Sequence, residues 1–104
     1  MSEPVKAPED CASMSEVRAG VDALDADLVQ LLAGRFAYMR AAARIKPDRD
    51  AVRDEARKAE VIANAERFAR EAGVPQAIVA DLWEQLVEAS IAYELDTWDR
   101  TRRA

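Results

Sequence analysis

Arg35 stands where an apolar residue belongs. Val17, Val21, Leu24, Leu28, Leu31, Arg35, Tyr38, Ala42 and Ile45 follow one another in steps of four and three, the spacing of one face of a helix. A guanidinium on that seam needs an acid from another helix or an anionic ligand, because a charge taken out of water unpaired is costly. Lys46 follows eleven residues later, and eleven residues return a helical side chain to nearly the same face. Arg35 and Lys46 can therefore face one pocket, although Lys46 also reads as a solvated lysine favoured by the helix dipole. Arg18 precedes Arg35 by seventeen residues, roughly 25 Å along a helix axis. It can approach Arg35 only from an antiparallel second chain, and otherwise it is a surface residue.

Further along lie Arg53, Asp54, Arg57 and Lys58, a run that by itself reads as a solvated face. Ser90 and Glu94 are one helical turn apart. By themselves they are a surface pair, but Trp83, Val87, Ile91 and Trp98 share their side of the helix and point to partial burial. The chemistry offered by this set is the binding of an anion by several fixed cations. Other chemistries are excluded by composition. The chain has no histidine and one cysteine, Cys11, so Ser-His-Asp hydrolysis, Cys-His catalysis and imidazole zinc sites are ruled out, as is an internal disulfide.

Three helices must position these residues. The first is expected to start at Ser13, which has capping-box spacing to Glu16, and to run for about 30 residues along the seam. Pro47 breaks it. The second is expected from Val52 to Ala72, with Ala56, Ala59, Ile62, Ala65 and Ala69 inward, and Gly73 ends it. The third is expected from Pro75 to Trp98 or beyond, with Val79, Leu82, Leu86, Ala89 and Tyr93 inward. No strand signal or repeat is present. The fold class is thus all-α, three helices per chain with a long first helix. Residues 1–12, with two prolines and three acids, read as an N-terminal arm rather than a helix, and residues 13–104 as one helical domain. A helix of that length spans roughly 45 Å, more than one small domain can cover. The seam therefore calls for a partner, most simply an identical chain.

The 104 residues carry 15 basic and 20 acidic side chains, a net charge of −5. This disfavours nucleic acid as a partner, since that affinity rests on a basic face. No apolar run approaches a membrane span, and residues 1–10 lack the apolar core of a secretory signal. The expected location is the cytoplasm.

The run from Lys6 to Lys46, KAPEDCASMSEVRAGVDALDADLVQLLAGRFAYMRAAARIK, resembles the all-helical chorismate mutase class, and within it the isochorismate-pyruvate lyases of bacterial salicylate and siderophore synthesis. The motifs are the PEDC tail, the VR…D..D..LV.LL..R segment and the spacing from Arg35 to Lys46, and the similarity extends to the final WDRTRR. The resemblance implies an intertwined homodimer with two sites, each built from both chains. It implies that Arg18 of one chain joins Arg35 and Arg57 of the other on the substrate carboxylates. Lys46 would reach a carboxylate and the ether oxygen, with the segment from Lys46 to Ala51 closing the site. Asp54 and Ser90 match substrate-contacting positions, and Glu94 stands where a Gln donates to the ether oxygen. Lys58 departs from the pattern, taking the place of a Glu that binds the ring hydroxyl of chorismate.

Chorismate and isochorismate are dianions, suited to several Arg and Lys side chains. Their pericyclic reactions need no nucleophile, metal or cofactor. They need a flexible substrate held in its reactive shape and donors at the ether oxygen, where negative charge develops. Lys46 and a protonated Glu94 are the expected donors, with Arg35 beside them. Since Glu94 donates only when protonated, activity is expected to fall as pH rises, and Glu94→Gln to remove the fall. Three functions follow: a mutase forming prephenate, a lyase releasing pyruvate from isochorismate to leave salicylate, with both able to share one site, and a non-catalytic helical dimer that binds a ligand.

Overall fold

The computed structural model describes residues 5–103, and within them the secondary structure is helical throughout. Helix α1 spans Met14–Ile45, α2 Glu55–Ala72 and α3 Gln76–Thr101, with short 3₁₀ turns at Pro8–Asp10 and Arg49–Ala51. The chain forms two compact units, the first ending at Ala37 and the second beginning at Tyr38.

In the first unit, the start of α1 carries the expected capping box. Ser13 Oγ accepts from the Glu16 amide at 3.2 Å, and Glu16 Oε1 accepts from the Ala12 amide at 2.8 Å. Two donors at a helix start that lack intrahelical partners are thereby satisfied. Between Lys6 and Cys11 the arm is held by contacts of its own. Lys6 forms an ion pair with Glu16, and the Pro8–Asp10 turn closes with the Cys11 amide donating to Pro8 O at 3.2 Å. Lys6 is the main reason the Glu16 carboxyl is held down at about 2, with the Ala12 amide contributing. Past this point the α1 seam lies open: Val21, Leu24, Leu28 and Leu31 are 49%, 64%, 55% and 71% exposed.

The second unit holds the core. Val52, Val87 and Ile91 are buried together, with Val61, Ile62, Trp83, Leu95 and Trp98 packed against them. Helix α2 starts three residues later than its periodicity suggests. Asp54, in extended conformation, is its N-cap and accepts from the Arg57 amide at 3.0 Å, while Val52 turns into the core from the end of the 3₁₀ turn. Gly73 ends α2 with φ at 73°, a left-handed conformation that a Cβ disfavours. The Val74 amide then reaches back to Ala69 O at 2.8 Å.

Two inner faces differ from expectation. On α2, Ala65 and Ala69 are buried and Ile62 is half-buried, but Ala56 and Ala59 are exposed. On α3 the stripe expected inward is buried only in part: Val79, Leu86 and Tyr93 are half-buried, whereas Leu82 is 54% exposed and Ala89 is exposed. The buried stripe is Val87, Ser90, Ile91, Glu94 and Thr97. Both stripes of α3 contain apolar residues at helical spacing, and which one turns inward is decided by what α2 and the 3₁₀ segment present to it. The pair of stripes was therefore legible and the choice between them was not.

Candidate active site

Helix α1 stops where Pro47 disfavours helical geometry at the residue before it. The Lys46 amide still donates to Ala42 O at 2.9 Å, so Lys46 sits at the very end of the helix, its ammonium favoured by the negative end of the dipole. Its side chain crosses to α3, where Nζ lies 2.7 Å from Glu94 Oε2. The Glu94 side chain is 6% exposed and that of Lys46 29%. The carboxylate is thus almost fully enclosed and its partner reaches it from the rim. This ion pair joins two of the residues singled out in the sequence across 48 positions.

The surroundings of the pair are polar groups that bury at little cost. Ser90 is buried and donates to Leu86 O at 2.6 Å, and Thr97 is buried and donates to Tyr93 O at 2.9 Å. Each hydroxyl uses the carbonyl one turn back, which satisfies it inside the helix. Arg40 Nη1 donates to the Tyr93 hydroxyl at 3.0 Å. No buried side-chain nitrogen or oxygen among the described residues lacks a partner.

The remaining expected site residues are placed as follows. Arg18 and Arg35 lie on the part of α1 that belongs to the first unit, Arg18 exposed and Arg35 half-buried. Asp54 has a structural duty as the α2 cap. Arg57, exposed, pairs with Glu60 one turn on. Lys58 is only 16% exposed and is committed to α3, with Nζ 2.7 Å from Glu84 Oε1 and 2.8 Å from Glu88 Oε2. Arg53 adds a two-pronged contact to Glu88 at 2.8 and 3.0 Å. These bonds, Glu84 first and then Glu88, hold the Lys58 ammonium pKa above its ordinary value. Arg53, with Lys58 beside it, pulls the Glu88 carboxyl down to about 2. A lysine so occupied ties α2 to α3. Among the described residues no group of three His, Cys, Asp or Glu side chains is arranged to hold a metal ion.

A further set escaped sequence reasoning. Arg49 makes a two-pronged contact with Asp99 at 2.8 and 3.3 Å, which holds the Asp99 carboxyl below its usual range. Trp98 Nε1 donates to Lys46 O at 3.0 Å, and Arg102 donates to Ala43 O and Lys46 O at 2.8 Å each. Separations of fifty residues or more leave no local signal for such contacts.

Comparison with known proteins shows the family to which the chain belongs. The family model of chorismate mutase type II matches residues 17–95. Over 100 residues the chain is 34% identical to the isochorismate pyruvate lyase of Pseudomonas aeruginosa, a match that covers 96% of this chain and 99% of that protein. The matched span contains Arg18, Arg35, Lys46, Asp54, Arg57, Ser90 and Glu94. On the family model, the near full-length similarity and an all-helical fold, the chain is an enzyme of the chorismate mutase type II family.

Proposed function

We propose that the chain rearranges chorismate to prephenate, and that the same site eliminates pyruvate from isochorismate to leave salicylate. The observation that carries this reading is the Lys46–Glu94 pair, at 2.7 Å. An ammonium has three donors and no acceptor. Glu94 takes one N–H and so fixes where the others point. One of these is available to the ether oxygen of a bound substrate, at which charge accumulates as the C–O bond breaks. In the rearrangement, the pyruvyl methylene carbon forms a new C–C bond to the ring as the C–O bond breaks. In the elimination, a ring hydrogen passes to that carbon instead, and aromatisation releases pyruvate. Glu94 acts as the acceptor that orients Lys46 and, when it carries a proton, as a second donor. Gln at this position donates at every pH, so Glu94→Gln separates the two roles.

Arg35 and Arg57 are proposed to hold the substrate carboxylates, Arg57 exchanging Glu60 for the ligand. Arg18 is proposed to come from a second copy of the chain. The open seam of Val21, Leu24, Leu28 and Leu31 supports an intertwined homodimer, since a continuous apolar stripe of that kind needs a cover. Asp54 and Ser90 are proposed to line the pocket, residues 13–104 to form the catalytic domain with 1–12 as its arm, and the cytoplasm to be its location. No cofactor or metal is assigned a role. The elimination is favoured as the second reading by the relative named above. The commitment of Lys58 to Glu84 and Glu88, where mutases carry a substrate-binding Glu, also favours it.

The test supplies purified protein with each substrate and follows prephenate and salicylate. Product from chorismate alone establishes the mutase, and product from isochorismate alone the lyase. If neither forms but a dicarboxylate mimic of the bicyclic transition state binds, a non-catalytic module remains. If the mimic fails to bind as well, the reading is refuted. Sedimentation of the free protein tests the dimer.

A further inference from the structure

Glu94, Trp98 and Arg102 are spaced four apart on α3 and its C-terminal cap, so one face of that helix carries all three. Each of them binds the end of α1 or the residue that ends it. Glu94 holds the Lys46 ammonium, while Trp98 and Arg102 both donate to the Lys46 carbonyl, at 3.0 and 2.8 Å. Carbonyls in the last turn of a helix have no intrahelical donors. Here Arg102 supplies them, reaching Ala43 O at 2.8 Å and Arg44 O at 3.5 Å in addition to Lys46 O. The guanidinium carbon also lies over the Trp98 ring, 4.4 Å from its centroid, a cation–π contact that further restrains it. Ala43 beneath it is fully buried.

We infer that Arg102 and Trp98 are positioning residues, which clamp the backbone of Lys46 and thereby set where its ammonium meets the substrate. Glu94 fixes only the tip of a long flexible side chain. A lysine bonded at its tip but free at its backbone moves with whatever the following Pro47–Asp50 segment does. Clamped at both ends by one rigid helix, it presents its remaining N–H donors in a single direction. Arg49 and Asp99 extend the same tie one turn further. Lysine cannot replace Arg102 fully, because one ammonium cannot span carbonyls that the forked guanidinium reaches with two nitrogens. This inference rests on Lys46 having the catalytic role proposed above.

The test compares Arg102→Ala, Arg102→Lys and Trp98→Phe with the wild-type enzyme. Arg100→Ala is the control, since Arg100 is exposed and paired with Asp96. For each variant kcat and KM are measured on the substrate that the wild type turns over, together with the folded fraction and amide hydrogen exchange across residues 43–52. A misplacement of order 1 Å costs about a hundredfold in rate. Arg102→Ala is therefore expected to lower kcat by about tenfold to a hundredfold with little change in KM. Arg102→Lys should be intermediate and Arg100→Ala unchanged. Exchange should accelerate over 43–52 in both Arg102 variants. A kcat that is unchanged, or that falls only in proportion to the folded fraction, overturns the inference. If Arg102→Ala does not fold, Trp98→Phe and Arg102→Lys decide by the same criterion. An inactive wild type refutes the functional reading instead. In that case unchanged exchange in the Arg102 variants overturns the clamp, and acceleration confined to 43–52 supports it.

Discussion

Replacing Lys46 with Ala tests the pair at the centre of the site on stability and rate together. In the intact protein the Glu94 side chain is 6% exposed and its carboxylate accepts from the Lys46 ammonium at 2.7 Å. Truncation strands that carboxylate. Removing one member of a fully buried ion pair costs about 3–5 kcal/mol, whereas exposed pairs are worth about 0–1 kcal/mol. Lys46 is 29% exposed, so water can enter where its side chain was and solvate Glu94 in part. The expected loss is therefore intermediate, about 2 kcal/mol, or about 10 °C in Tm for a chain of this size. Glu94→Gln keeps an oxygen acceptor for Lys46 and should cost about 1 kcal/mol or less. In the double variant no charge is stranded, so with a coupling of about 1.5 kcal/mol it should cost about 1.5 kcal/mol or less, below the loss of Lys46→Ala alone. Urea unfolding at one fixed protein concentration measures these values, since dimerisation makes apparent stability depend on concentration. On the kinetic side, loss of one donor to a developing oxyanion should lower kcat by about a hundredfold or more. The reasoning fails if Lys46→Ala is as stable as the wild type, or if the double variant is no more stable than Lys46→Ala alone.

Two further outcomes follow from the second unit. Arg53 and Lys58 depress the Glu88 carboxyl to about 2, below its unfolded value near 4.5. The stabilisation is fully present above pH 4.5 and is lost as pH falls toward 2, because the unfolded chain takes up the proton first. Glu88→Gln should therefore flatten the acid limb of a stability–pH curve between about pH 4.5 and 2, and an unaltered limb would remove Glu88 from the account. Ile91→Ala, at the centre of the core with Val52 and Val87, should cost about 2–4 kcal/mol by chemical denaturation, and a loss below about 1 kcal/mol would show that the core lies elsewhere.

Much of this protein is written locally. The start of α1 was legible because Ser13 and Glu16 cap it through bonds three residues apart. Its end was legible because Pro47 acts on its immediate neighbour, and the end of α2 because Gly73 adopts a left-handed conformation. The candidate cations were legible as charges that interrupt an apolar period or recur at its face. The roles proposed for them come from the resemblance to a family.

What the residues alone left open was every choice that depends on two segments meeting. The three-residue delay of α2 reflects Val52 turning into the core while Asp54 caps the helix, a competition between burial and helix propensity that a period count does not contain. Helix α3 carries two usable apolar stripes, and only contact with α2 and the 3₁₀ turn turned Val87, Ile91 and Glu94 inward and left Leu82 in solvent. The pairing of Lys46 with Glu94, the capture of Lys58 by Glu84 and Glu88, and the donation from Arg102 to Lys46 O all span 26 to 56 positions. Spacing reveals which side chains share a face of one helix. Which charge meets which, and which backbone carbonyl receives a distant guanidinium, is set by the packing of helices. That packing is governed by the shape and burial of the whole set of side chains, and no single stretch of sequence contains it.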